Sequence, residues 1–301
     1  MDSDDIVIPL RADRARAGIA PTIGGSLTCF HWSDGGERHD WLRPATREDL
    51  RAGTADRLAC FPLVPFSNRI RDGRFRFGGH AVELPLNQLP QPHAEHGHGW
   101  QAAWRVVART DDRLTLVYDH AADAWPFPYR AQQAIELTAD ELRVTLSIEN
   151  RGTEAMPAGL GLHPYFPRTS DCRLTARVAA MWETDPEIMP TTLVDPEPRL
   201  GSSEGLPVDR VALDNAFTGW RRAATIRWPE RGTCLRLEAD PPLGFLVVYT
   251  PPGASYFCAE PVSHCTDAFN LAAQARDDTG MLVLEPGASV SAAVRLRPGL
   301  A

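Results

Sequence analysis

The chain has 301 residues, 43% of them hydrophobic and 23% charged, with a formal net charge of −8. Those proportions suit a globular protein with ample core, and the acidic balance argues against the phosphate backbone of a nucleic acid as partner. No segment offers the roughly 20 apolar residues of a membrane helix. The opening MDSDDIVIPLRADRARAG lacks the basic and apolar regions of a secretory signal, so the expectation is a cytoplasmic protein with neither nucleic acid nor membrane as partner.

In chain order, SLTCFHW from Ser26 is the first β-patterned run, and TREDLRAGTADRL predicts a short helix with Thr46 as N-cap. RFRFGGHAVEL, WRVVA, RLTLVYDH, AQQAIELT and LRVTLSIEN follow, then CRLTARVAAMW as one further run. A Pro-rich stretch from Asp185 to Pro207 reads as a long surface connection. TIRW, TCLRLEA, FLVVYT, SYFCAE, MLVLEP and VSAAVRLRP complete the runs, with TDAFNLAAQ a second short helix opened by Thr266. Gly, Pro, Asp and Asn separate the runs, and several alternate Leu or Val with polar residues, as antiparallel strands with one wet face do. The expected fold is all-β, a large antiparallel β-sandwich, with residues 1–301 forming one domain. Cys29, Cys60, Cys172, Cys234, Cys258 and Cys265 form no C-x-x-C pair and sit mostly in apolar runs, the pattern of buried free thiols.

No dinucleotide fingerprint, Walker loop or G-x-S-x-G elbow is present. What remains is a set of dense polar islands: FSNRIRDGRF, HAEHGHGW, GLGLHPYF, LDNAFTGW and CAEPVSHCTDAFN. The second holds His93, His96 and His98, three of only nine histidines. With Glu95 they offer enough ligands for a catalytic zinc, but their spacing matches no usual zinc signature and Gly97 and Gly99 suggest a loop. For His93 a solvated loop position is the preferred reading. His163, between Leu162 and Pro164, fits a core histidine as well as a catalyst. Glu260 closes an apolar run, where desolvation raises a carboxyl pKa and improves it as a base; an exposed strand-end carboxylate fits equally.

The joint order of the islands breaks these ties. NRI at Asn68–Ile70, HG at His96–Gly97, HPYF at His163–Phe166, DNAF at Asp214–Phe217 and Glu260 in CAEP together resemble the aldose 1-epimerase (galactose mutarotase-like) family. Each motif is short; five in order, over nearly the whole chain, are specific. The resemblance implies a galactose mutarotase-like supersandwich and interconversion of α and β anomers of an aldose, with no metal or organic cofactor. It carries His163 over as general acid and Glu260 as general base. Arg69, His96 and Asp214 carry over as groups that hold the sugar's hydroxyls and ring oxygen. Such a protein takes a small-molecule sugar, and a monomer or weak dimer is expected.

The chemistry suits those residue types. Ring opening removes a proton from the anomeric hydroxyl and delivers one to the ring oxygen, so a base and an acid must flank one carbon. A histidine with an ordinary pKa near 6.5 serves as the acid at neutral pH if a neighbouring charge keeps it protonated. Phe66, Trp100, Phe166 and Phe217 are the candidate aromatic faces for a pyranose.

HGHGW and GLHPYFPR depart from the galactose mutarotase pattern and look more like a shorter branch that includes hexose-6-phosphate epimerases. There an arginine stands four residues after the first histidine; here Trp100 stands there, so a bidentate phosphate contact is missing. Arg71 or Arg74 is the available substitute, and a free hexose ranks above a sugar phosphate. A non-catalytic sugar-binding module is the reading from another class.

Overall fold

The computed structural model describes residues 6–34, 36–196 and 200–300. Residues 1–5, at the head of the opening segment, and residues 197–199, inside the Pro-rich stretch, lie outside that set. Two large antiparallel sheets, of eleven and nine strands, build the molecule, and side chains from both join one hydrophobic cluster.

The nine-stranded sheet is regular. Tyr129–Leu137, Leu142–Asn150 and Ser289–Leu300 are consecutive neighbours in it. In Leu142–Asn150 every second residue is buried, and the register sets Leu142 opposite Leu296, Leu146 opposite Ala292 and Ile148 opposite Val290. Inner residues thus meet inner residues, which is how a period of two fixes register when one face is dry.

The eleven-stranded sheet is less so. Its middle strands are Cys60–Leu63, Gly161–Pro167, Tyr256–Val262, Phe245–Tyr249 and Asp214–Thr218, in that spatial order. Cys60–Leu63 is buried throughout, and so is Gly161–Pro167 except at its last residue. Loops roof their outer face, so both faces are dry and alternation disappears. Pro62, Pro164 and Pro261 sit in three adjacent central strands and each lacks a ladder donor. Backbone bonds beside them, such as Tyr165 N to Ala59 O at 2.9 Å and Ser263 N to Leu160 O at 2.9 Å, hold these strands together.

Several expected elements resolve differently. CRLTARVAAMW is two strands, Arg173–Ala176 and Ala180–Thr184, which belong to different sheets. RFRFGGHAVEL is a hairpin of Arg74–Phe77 and His80–Glu83, turned at Gly78 and Gly79, both with positive φ. Thr46 caps its helix with a full capping box, but the helix stops at Ala52 because Gly53 adopts the left-handed conformation. The second helix, Ala268–Ala273, is opened by Asp267 and not Thr266: Asp267 is drawn away to the NRI segment, accepting from Arg71 N at 3.0 Å and donating its own N–H to Arg69 O at 2.9 Å. The Pro-rich connection contains a strand of the large sheet, Pro190–Val194. All six cysteines are free.

Candidate active site

The register that pairs Gly161 with Val262 and Tyr165 with Cys258 sets His163 directly across from Glu260. Their side chains meet at 3.4 Å, His163 Nε2 to Glu260 Oε1. Both are buried, 7% and 2% exposed. The next strands bring Val247 beside Glu260 and Asp214 beside Tyr249. One strip of sheet therefore carries His163, Glu260 and the further carboxylate of Asp214.

The roof comes from the segment between Phe66 and Trp100. Arg69–Ile70 and Ala94–Glu95 form a two-residue ladder. Asn68 and His96, both at positive φ, exchange two bonds: Asn68 N donates to His96 Nδ1 at 3.0 Å, and His96 N donates to Asn68 O at 2.9 Å. With Nδ1 an acceptor, the neutral ring carries its proton on Nε2. Burial, and secondarily Arg69, push the His96 pKa down to about 3, so it is a neutral N–H donor. Gly97 makes this turn possible: at φ +69, an added Cβ would stand 2.5 Å from Val64 O. His264 anchors the start of the segment by accepting from Ser67 N at 3.1 Å.

Between roof and sheet lies a cleft of about 280 Å³, at the small end of ligand pockets. His163, Glu260, Arg69, His96 and Asp214 all line it. Arg69 Nη2 lies 3.2 Å from Asp214 Oδ2 and 3.2 Å from Glu95 Oε1. His163 packs against two aromatic rings, Phe61 at 4.5 Å and Tyr165 at 4.7 Å. Arg43 backs Tyr165 and Tyr256 from below, at 4.0 and 4.5 Å from their ring centres.

The surroundings favour the neutral form of both Glu260 and His163. Burial, then Asp214 and Glu95, push the Glu260 pKa well up, with Arg69 opposing. Burial, then His96, with Arg43 and Arg69 behind it, pushes His163 well down. The expectation that a neighbouring charge keeps His163 protonated is not met: its pKa is pushed down, and Glu260, the group in contact with it, is itself pushed toward the neutral form. Desolvation makes Glu260 the stronger base and an imidazolium at His163 the stronger acid.

Other expectations on this region are corrected. His93 is not solvated: it is fully buried, its Nδ1 accepts from Asp72 N at 3.1 Å, and its Nε2 faces Glu187 at 3.5 Å. The three island histidines do not converge, because His98 turns away to stack on His120, at 4.4 Å and 3°. His98, His120 and Asp123 do bring ligand atoms within 4.8 Å, but parallel rings direct their in-plane lone pairs side by side rather than at one ion. A second such set is His163, Cys258 and Glu260, all buried. Phe66, Phe166 and Phe217 are core residues; of the four aromatic candidates only Trp100 lines the cleft, where Phe61, Tyr165, Tyr249 and Tyr256 join it. Residue spacing carried no signal for those partners. Glu95 lies in the island HAEHGHGW, where its sequence context suggested only a metal ligand.

Ile188, from the Pro-rich stretch, also lines the cleft, at φ +62, a strained conformation for a β-branched residue. Asp185 holds this turn by accepting from Glu187 N and Met189 N at 2.9 and 3.0 Å. Arg71 ties it to the roof through Asp185 at 3.2 Å and Glu187 at 3.7 Å.

Comparison with known proteins settles the relationship. The family model described as aldose 1-epimerase matches residues 7–297. This chain belongs to the aldose 1-epimerase family. An uncharacterised Escherichia coli K12 protein, YphB, is 35% identical over 283 residues, 91% of this chain and 92% of that one. A crystal structure of a putative aldose 1-epimerase from E. coli K12 matches with a TM-score of 0.87 at 31% identity, over 98% of this chain and 99% of the other. A galactose mutarotase-like protein from Clostridium acetobutylicum shares the fold at a TM-score of 0.86 and 22% identity, over 98% and 95% of the two chains. The galactose mutarotase-like sandwich expected of the aldose 1-epimerase family is the fold observed.

Proposed function

We propose that this protein is a cofactor-independent aldose 1-epimerase acting on a free hexose or related unphosphorylated aldose. The observation that carries the reading is the pairing of His163 with Glu260 across one strand register at 3.4 Å, in a cleft of monosaccharide scale. Glu260 takes the proton of the anomeric hydroxyl, His163 gives one to the ring oxygen, and the ring opens. The carbonyl carbon turns, and the reverse transfers close the ring on its other face. The pair begins with one proton and ends with one, and in the open-chain stage both groups are neutral. Burial favours that state, so the environment drives both transfers in the direction ring opening requires. His96 Nε2–H and Arg69 donate to sugar oxygens, and Asp214 accepts from hydroxyls.

The preference for a neutral sugar rests on charge. The lining contains four carboxylates, from Asp56, Glu95, Asp214 and Glu260, against the single guanidinium of Arg69. Arg71 is engaged with Asp185 and Glu187, and Arg74 with Glu83 at 2.7 Å on the exposed surface; neither lines the cleft. Among the described residues lining the cleft, a phosphate dianion finds no cation but Arg69, which is already paired.

Proton-exchange NMR on α-glucose, α-galactose and their 6-phosphates tests the proposal. Catalysed anomer exchange of a free sugar, weaker or absent for the phosphate, is the expected outcome. Tight sugar binding with no exchange would replace the enzyme by a binding module, and faster exchange of the phosphate would reverse the substrate class.

A further inference from the structure

We infer that Glu95 is a positioning residue of this site: with Asp214 it grips the Arg69 guanidinium, so that Arg69 meets the sugar as a fixed donor. The inference rests on the epimerase reading above. Arg69 has five donor hydrogens. Nε donates to Gln91 Oε1 at 3.3 Å, Nη1 to Asn68 Oδ1 at 3.3 Å, and Nη2 to Asp214 Oδ2 at 3.2 Å with Glu95 Oε1 equally close. Among the described residues, one Nη1 and one Nη2 hydrogen are left over, since Glu95 meets Nη2 as an ion pair without hydrogen-bond alignment.

Glu95 is itself held with unusual care. Its backbone exchanges two bonds with the Asn87 side chain, Nδ2 to Glu95 O at 2.7 Å and Glu95 N to Oδ1 at 2.8 Å. Its carbonyl also accepts from Trp100 Nε1 at 3.3 Å. Its side chain is 10% exposed and that of Arg69 8%, so water screens their attraction little. Ladder pairing with Arg69 fixes the distance between the two backbones. His96 follows directly in the chain, so one rigid segment places both the guanidinium clamp and the Nε2–H donor.

A second carboxylate on one guanidinium is costly to bury. Glu260 is faced by His163 from the neighbouring strand, by Asp214 from the strand beyond, by Arg69 and Glu95 from the roof, and by the neutral Cys60, Cys258 and Tyr165. Glu95 adds to the negative field there, after burial and Asp214, and so supports Glu260 as a base.

Glu95→Gln tests this, because it keeps the shape and removes the charge. The expected result is about a tenfold loss in kcat/KM for anomer exchange, with the acid limb of its pH profile displaced to lower pH. Carboxyl-carbon NMR of Glu260 in the free protein should show the same displacement. If Glu95→Gln fails to fold, Glu95→Asp serves: charge retained but reach shortened, it should lose rate while keeping the wild-type acid limb. A folded Glu95→Gln protein with wild-type rate and unmoved Glu260 titration overturns the inference, as does a Glu95→Asp protein with wild-type rate. A wild-type protein without exchange activity instead defeats the epimerase reading, and the NMR titration then still decides whether Glu95 acts on Glu260.

Discussion

Leu142–Asn150 and Gly161–Pro167 are strands of similar length in the two main sheets, and they obey different rules. The first alternates buried and half-buried residues without exception; the second is buried at every residue but its last and contains Pro164. One strand has water on a face and needs only a dry stripe. The other lies beneath a roof of loops, and its second face was filled with a histidine, a tyrosine and the cleft they bound. Regularity goes with the part of the molecule that supports, and irregularity with the part that acts, because a site needs polar groups where a plain sheet would place solvent or core.

Substitutions in the two strands should separate accordingly. His163→Ala is expected to lower anomer exchange by roughly 10² to 10⁴-fold, read below the melting range of the variant; loss of less than tenfold in the NMR exchange assay would remove it from the chemistry. Ile148→Ala, fully buried in the regular strand, should do the reverse, costing about 2–5 kcal/mol in denaturant unfolding with near-normal kcat below the melting range.

The acid limb of kcat/KM should lie above the ordinary carboxyl value of 4.5, since Glu260 must be ionised to act and its folded pKa is raised. Activity is then lost as pH falls through that raised value, and Glu260→Gln abolishes the limb together with the rate. The same raised pKa means that Glu260 supports the fold below its unfolded pKa and that this support is lost as pH rises. Glu260→Gln should accordingly raise Tm at pH 8 by about 2 °C, read by calorimetry. The smallest effect is expected at Ile188. Ile188→Gly relieves a left-handed β-branched residue and should stabilise by up to about 1 kcal/mol, yet raise KM for the sugar by removing a side chain from the cleft. An unchanged KM would show that Ile188 merely closes the turn.

What was legible follows the same division. LRVTLSIEN, RLTLVYDH and TCLRLEA declare themselves by alternation and fold as strands over Leu142–Asn150, Arg113–His120 and Thr233–Ala239. Cys60–Leu63 and Gly161–Pro167 did not, because proline and unbroken burial conceal a strand whose two faces are both covered. His163, Glu260, Arg69, His96 and Asp214 were found as an ordered set of motifs, and the structure brings all five to one cleft. Phe61, Tyr249, Tyr256 and Ile188 were not found, since nothing in their local sequence distinguishes a cleft wall from core.

By itself the sequence determined the all-β class, the capped helix at Thr46, and which residue types are equipped for acid and base work, all of which depend on neighbours a few positions away. Only the tertiary structure decided that His163 opposes Glu260, that His93 and His98 leave His96 to face the cleft alone, and that two carboxylates share Arg69. Those facts depend on strand register and loop packing between residues as much as 145 positions apart, such as Arg69 and Asp214, and such distances are set by how the sheets close and not by any local pattern.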